Sequence, residues 1–361
     1  MRRPPSPAGA ATWVFLLACA ALMLGGCRGE APVQTTAFIA FGASADLRLV
    51  GVEDAAAEAI TDEIQRDFAF MDTRWRSGQS DTLARVNEAL AAGKSVAAPP
   101  SILPLVRLAQ RYAEQSGGLL NLATGRLAAL WGFHAASQQG GPPPSAAAIR
   151  ELIEAAPQMS DLVIDGLELR STNPTAQLDL DPIASGYGID LAIDYLREQG
   201  VRHALLRVGN GLRAIGDRAG KPWRVVVPRP SGSGVYGTVE ISGDESVVTV
   251  GDYERSFLYA GETYHAILDP RTGYPAGGAQ AVTVIDEDAA TAAAAARALF
   301  IAGPDRWPQV AAAMGVSQAL LFDREGTAQM TPDMAARLVR LDEAREVSIR
   351  APAVDVGAEQ G

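Results

Sequence analysis

The run His265-Ala266-Ile267-Leu268-Asp269-Pro270-Arg271-Thr272-Gly273-Tyr274-Pro275 brings an imidazole, a carboxylate, a guanidinium and a hydroxyl into one short stretch. An Asp-Pro step that ends a strand, followed by a glycine free to take positive φ, folds such a stretch into a turn and holds His265, Asp269, Arg271 and Thr272 near one another. A histidine alone would read as a satisfied core residue. In this company His265 reads as part of a functional cluster rather than a structural turn. Two other stretches are notable for their residues. Gln177 to Asp190 carries Asp179, Asp181, Ser185 and Asp190. Ala292 to Arg297 is alanine up to its closing arginine, and the i,i+4 spacing puts Ala293 and Arg297 on one helix face.

The elements that must position these groups can be read from periodicity and turn residues. Phe38 to Val50 has the apolar richness of a strand, and Ala55 to Met71 has a helical period. A second helix is expected over Pro100 to Ser116, with Gly117-Gly118 as its stop, and Ala146 to Ala155 resumes helix after the loop Gln138 to Ser145. Leu162 to Ile164 and Leu167 to Arg170 flank Asp165-Gly166, a hairpin signal, and Ala176 to Leu180 reads as extended. Ile189 to Gln199 is helical. His203 to Val208, Arg224 to Val227, Gly237 to Ile241, Ser246 to Val250 and Ala281 to Ile285 read as strands, and Ala289 to Ile301 as a helix with Asp288 at its N-cap. Strands joined by short turns predict an α+β fold, with antiparallel sheets flanked by helices, rather than a doubly wound sheet.

The His265 to Pro275 run closely resembles the His-x-Ile-Ile-Asp-Pro-Arg-Thr-Gly-x-Pro signature of the ApbE family of flavin transferases. Thr73-Arg74-Trp75 through Asn87, Ser116-Gly117-Gly118 with Leu130-Trp131-Gly132-Phe133, Gln177 to Asp190, and Thr249-Val250-Gly251-Asp252-Tyr253-Glu254-Arg255 are similar to further stretches of that family. The likeness runs from about Phe41 to Gly303. It implies an ApbE-like, T-fold-related architecture over residues 38–345 with a flavin cleft between sub-domains. It also implies cleavage of FAD and attachment of FMN to a threonine of an acceptor flavoprotein bearing an (Asp/Ser)-Gly-(Ala/Ser)-Thr site. The positions it assigns to catalysis are His265 and Asp269. Those it assigns to the cofactor are Phe41, Trp75 as a stacking face, Leu119, Leu120, Asn121, Asp179, Ser185, Asp190, Asp252, Ile267, Arg271, Thr272 and Arg297.

Several positions depart from the family. Its members hold Mg²⁺ at the FAD pyrophosphate through an Asp and a Thr one helical turn apart and a main-chain carbonyl. Here Ala293 and Arg297 stand at the two side-chain positions and Pro182 at the carbonyl. A methyl group and a guanidinium offer no oxygen to a hard cation, so the metal site reads as degenerate. The family lysine is Ser185, and the aspartate of its Phe-Asp-Pro-Thr run is Asn121. One reading gives Arg297 the charge that the metal would carry, since a guanidinium can grip a pyrophosphate bidentately. The alternatives to transfer activity are a flavin-binding lipoprotein without turnover and an outer-membrane scaffold.

Met1 to Gly26 reads as a lipoprotein signal peptide, with an apolar run from Trp13 to Leu24 too short to span a bilayer. Leu24-Gly25-Gly26-Cys27 resembles a lipobox, so Cys27 is the expected acylation point, residues 27–37 a tether, and the protein periplasm-facing on an outer membrane. Cys19 and Cys27 are the two cysteines, which leaves no disulfide in a processed chain. A formal charge of −11 argues against nucleic-acid binding. Residues 346–361 are expected to be disordered.

Overall fold

The computed structural model describes residues 31–134, 141–230, 234–341 and 347–353. The signal peptide and Cys27 lie outside the described residues. The expected α+β architecture is present: a nine-stranded sheet, three smaller sheets, and helices packed on the sheet faces. Across the large sheet the order is Val33–Ala40, Ala43–Val50, Ala204–Val208, Gly211–Ile215, Glu245–Gly251, Ala279–Asp286, Gln318–Asp323, Ala328–Met330 and Val347–Ile349. Every pairing is antiparallel except the last.

Period-two alternation gives this sheet two apolar faces. Val248, Val282 and Val284 face the helices Asp181–Glu198 and Ala289–Ala313, whereas their neighbours Val247, Ala281 and Ile285 face the three-stranded sheet built on Trp223–Pro228 and Val235–Ile241. Helix Asp54–Trp75 covers the strands nearer the amino end through Ile60, Ile64 and Phe68.

Five elements differ from the sequence reading. The Phe38 to Val50 stretch is a hairpin, because Phe41 (φ 50°) and Gly42 (φ 71°) form a two-residue turn between Ala40 and Ala43. Two successive positive φ values match the strand twist. A phenylalanine there costs about 1 kcal/mol and is invisible to a turn-residue rule that looks for Asn-Gly. The expected tether is already strand from Val33, held by register with Val50. The expected disordered tail contains Val347–Ile349, which adds parallel to the edge strand Ala328–Met330 and satisfies backbone groups that the edge would leave open. Ala176 to Leu180 makes a single bridge, Gln177 to Thr124, in place of a strand.

Helix Asp181–Glu198 starts eight residues before the expected Ile189. Gly186 and Gly188, poor helix formers by propensity, are packing positions here. A Cβ on Gly186 would lie 2.6 Å from the Ala289 carbonyl oxygen, so the glycine is what lets this helix touch the start of Ala289–Ala313. That second helix carries Ala293 and Arg297, so the contact sets their height in the fold.

Candidate functional site

Asp179 sits on an extended segment whose partners are partly side chains. The Asn87 amide donates to Leu178 O and accepts from Leu178 N, at 3.0 and 2.8 Å, while Asp179 N donates to Leu122 O at 2.8 Å. This clamp presents the Asp179 carboxylate to a buried network. Oδ1 accepts from Ser77 Oγ at 2.6 Å and from Asp181 N at 3.2 Å, and Oδ2 pairs with His134 Nε2 at 3.1 Å. Asp181 in turn accepts from Ser77 N at 2.7 Å and from Arg255 at 3.2 Å. Burial raises the Asp179 carboxyl, but its hydrogen bond with His134, that residue's charge and the Ser77 and Asp181 donors outweigh it and hold the group below the usual carboxylate range. Burial and the Asp179 charge push Asp181 up. Burial draws His134 down, yet the Asp179 hydrogen bond and charge leave it above its ordinary value.

Two cavities lie beside this network and share one lining residue, Arg297. The larger, about 450 Å³, is lined by Phe41, Arg76, Asp181, Ser185, Asn210, Glu254, Arg255 and Arg297, among others. The smaller, about 70 Å³, is lined by Leu119, Leu120, Asn121, Asp179, Pro182, Ile267 and Arg297, among others. Arg255 is held by Asp181 and Arg76 stands 3.6 Å from Asp72, whereas the Arg297 guanidinium makes no hydrogen bond or ion pair within the described residues. Burial lowers it from its ordinary value against the opposing charges of Glu254, Asp179 and Asp181. A third cavity, about 260 Å³, is lined by Asn121, Arg271 and the Gly117-Gly118 turn and shares Asn121, Thr124 and Pro270 with the smaller one.

The His265 to Pro275 run forms the expected turn, with Gly273 at φ 78° and its carbonyl accepting from Trp131 Nε1 at 2.8 Å. Asp269 shapes that turn. Its side chain accepts from Arg271 N and grips the Arg271 guanidinium through both oxygens, so it positions Arg271 and does not stand free for catalysis. Thr272 Oγ1 accepts from Tyr274 N on the exposed side of the turn. His265 is 3% exposed, stacked edge-on against Phe300. Its Nε2 pairs with the Ala276 carbonyl at 3.0 Å, so Nε2 carries the proton, and Nδ1 is a buried lone pair with no partner among the described residues. Burial lowers its pKa to about 4, leaving the ring neutral near pH 7.

Three assignments need correction. Trp75 is not an open stacking face: it is 2% exposed, with Phe41 stacked on it at 6.2 Å and Tyr187 tilted against it at 5.8 Å. Phe41 is the aromatic that reaches the cavity. Asp190 does not line these cavities. Its oxygens cap helix Ala289–Ala313 by accepting from Ala289 N at 2.8 Å and Ala290 N at 2.9 Å, and it pairs with Arg213 at 2.6 Å. That is the task expected of Asp288, whose side chain caps nothing and pairs with Arg213 instead. Asp252 lies beside Arg324, raised by burial, outside the lining of these cavities.

The sequence assigns no site role to Arg76, Ser77 or Glu254, and it reads His134, like His203, as structural. His134 directly follows the Leu130-Trp131-Gly132-Phe133 run, and that adjacency was the available signal. His203 is structural, accepting from Asp217 N at 3.0 Å.

The site is a cleft beside a helix-covered, mostly antiparallel sheet, lined by the guanidinium groups of Arg76, Arg255 and Arg297 together with the carboxylates of Asp181 and Glu254. The chain belongs to the ApbE family, whose model matches residues 41–321. It is 36% identical over 325 residues to an FAD:protein FMN transferase of Rhodobacter capsulatus, covering 89% of this chain and 62% of that protein, so it spans less than two thirds of that relative's length. A Vibrio cholerae FAD:protein FMN transferase is 29% identical, with 83% and 90% covered. Among solved structures, an ApbE protein of Thermotoga maritima superposes with a TM-score of 0.77 at 28% identity, covering 85% of this chain and 99% of that one. The flavinyl transferase ApbE of Pseudomonas stutzeri gives 0.73 at 30% identity, covering 84% and 94%.

Proposed function

We propose that this chain is an FAD:protein FMN transferase: it binds FAD in the two cavities and passes FMN to a threonine of an acceptor flavoprotein carrying an (Asp/Ser)-Gly-(Ala/Ser)-Thr site. The observation that carries the reading is the one unpartnered guanidinium that lines both cavities, within a family of flavin transferases. In the reaction the threonine oxygen attacks the FMN phosphorus. The bond from that phosphorus to the bridging oxygen breaks, AMP departs, and the hydroxyl proton passes to a base. The family resemblance gives that role to His265, whose ring is neutral and whose unpartnered Nδ1 is buried behind the cavity linings, so proton transfer requires that nitrogen to be uncovered when acceptor and FAD are bound. Asp269 serves by fixing Arg271 at the wall of the third cavity.

Magnesium does not fit the residues present. No group of three or more metal-ligating side chains occurs among the described residues. At the family's ligand positions Ala293 offers a methyl and Arg297 a like charge. The carboxylates whose charges act on Arg297, Glu254, Asp179 and Asp181, are already engaged by Asn210, Ser77, His134 and Arg255.

Anchoring belongs to the same proposal: acylation of Cys27 would tether the enzyme to the periplasmic face of an outer membrane, near membrane-bound acceptors. Co-expression with an acceptor bearing the threonine site, followed by in-gel flavin fluorescence, tests the activity. A fluorescent acceptor band that disappears with a Thr→Ala acceptor supports it, and a dark acceptor overturns it.

A further inference from the structure

We propose that Arg297 is the resident cation of this cleft, binding the pyrophosphate of FAD directly, so that the dinucleotide is held without a divalent ion. The inference rests on the FAD reading above and adds how this chain neutralises the phosphates.

Position is the first argument. Arg297 is the residue common to the larger and the smaller cavity, so a ligand extending through both must pass its guanidinium. Lack of a partner is the second. A guanidinium keeps its charge and carries five N–H donors, and shielding it from water is costly unless an anion answers it. Among the described residues Arg297 has no such contact; the carboxylates of Glu254, Asp179 and Asp181 act on it only through space. Those carboxylates are themselves committed, Glu254 to Asn210 at 3.0 Å, Asp179 to Ser77 and His134, and Asp181 to Ser77 and Arg255. The unpaired N–H donors of Arg297 are therefore left for the cleft that it lines, where a phosphate ester offers two oxygens at the spacing of the guanidinium fork.

Ala293 completes the argument. It lies one turn earlier on the same helix face, 3% exposed, and puts a methyl beside Arg297. A divalent ion here would meet no side-chain oxygen on this helix and would sit against a fixed positive charge, so ion and arginine exclude each other. The contact of Gly186 with the Ala289 backbone fixes the height of Arg297.

The test uses the full chain in detergent, stripped with EDTA, and follows flavin fluorescence on titration with FAD and, separately, with riboflavin, which lacks phosphates. Wild type is expected to bind FAD equally with EDTA or with added Mg²⁺. Arg297→Ala is expected to weaken FAD by about 10- to 100-fold, the usual effect of losing charge-assisted hydrogen bonds, while leaving riboflavin binding unchanged, which shows the variant folded. Arg297→Lys should fall between them. The double variant Ala293→Asp with Arg297→Thr should bind FAD only when Mg²⁺ is supplied. Loss of wild-type FAD binding in EDTA with recovery in Mg²⁺ would overturn the inference, as would equal FAD affinity in Arg297→Ala. Either result would leave the FAD reading intact, whereas a wild-type chain that binds neither flavin takes both down.

Discussion

His134 Nε2 stands 3.1 Å from Asp179 Oδ2, and both side chains are largely buried where Ser77, in the turn just past helix Asp54–Trp75, meets the Asp179 segment. The pair joins parts of the chain that share no secondary structure, so it ties the wall of the cleft to the Leu130 to Phe133 segment.

Its strength should depend on pH with a definite sign. His134 is raised in the folded protein, so its contribution is full below the ordinary histidine value of 6.5 and fades as pH climbs through the raised one. Asp179 is lowered, so its contribution is present above the ordinary carboxylate value of 3.8 and is lost as pH falls through the depressed one. The pair is therefore strongest between these limits. Thermal melts of wild type and His134→Gln should differ most near pH 6, by about 2 kcal/mol, and converge toward pH 9. A gap that widens toward pH 9 would contradict the ion-pair account.

Asp190 should prove structural. It caps the amino end of helix Ala289–Ala313 and pairs with the buried Arg213. Asp190→Ala leaves two helix N–H groups and a guanidinium short of an acceptor, at a cost of about 3 kcal/mol or more in urea unfolding. FAD affinity, measured at low temperature where the variant stays folded, should change little. A selective loss of FAD affinity without destabilisation would restore the cofactor-binding role.

Gly186→Ala probes the helix contact that positions Arg297. The new Cβ would lie 2.6 Å from Ala289 O, a backbone atom that cannot rotate aside, so the two helices must part. A destabilisation of about 1–3 kcal/mol, together with weaker FAD binding, is expected from calorimetric melts and titration.

His265→Ala should remove transfer while sparing FAD binding. Loss of a general base reduces the rate by about 10²–10⁴-fold. Since the ring titrates at about 4, the wild-type rate should stay level down to pH 5.5 and fall only below that. An acid limb near pH 6.5, read from initial rates of acceptor labelling, would mean that a different histidine supplies the base.

The fold was legible wherever alternation and turn chemistry agreed, as in the Leu162 to Arg170 hairpin and the strands Ser246 to Val250 and Ala281 to Ile285. It failed where long-range packing decides. Gly186 and Gly188 break helices by propensity, yet here they serve a helix crossing that local sequence does not display. Phe41 turns a hairpin from a position no turn rule favours. In the site, Asp179, Asn121, Ile267 and Arg297 were named from the sequence and do converge on one cavity. Trp75 and Asp190 were misplaced because residue type does not reveal which face a neighbour covers. His134 reads as structural in the sequence because its partner Asp179 lies 45 positions away.

Flavin transfer itself is tested most directly by intact-mass measurement of a purified acceptor after incubation with this protein and FAD. The account predicts an acceptor heavier by one FMN less water, with the addition mapped to the threonine and one AMP released per label. An unmodified acceptor, recovered alongside intact FAD still bound to the protein, would contradict it.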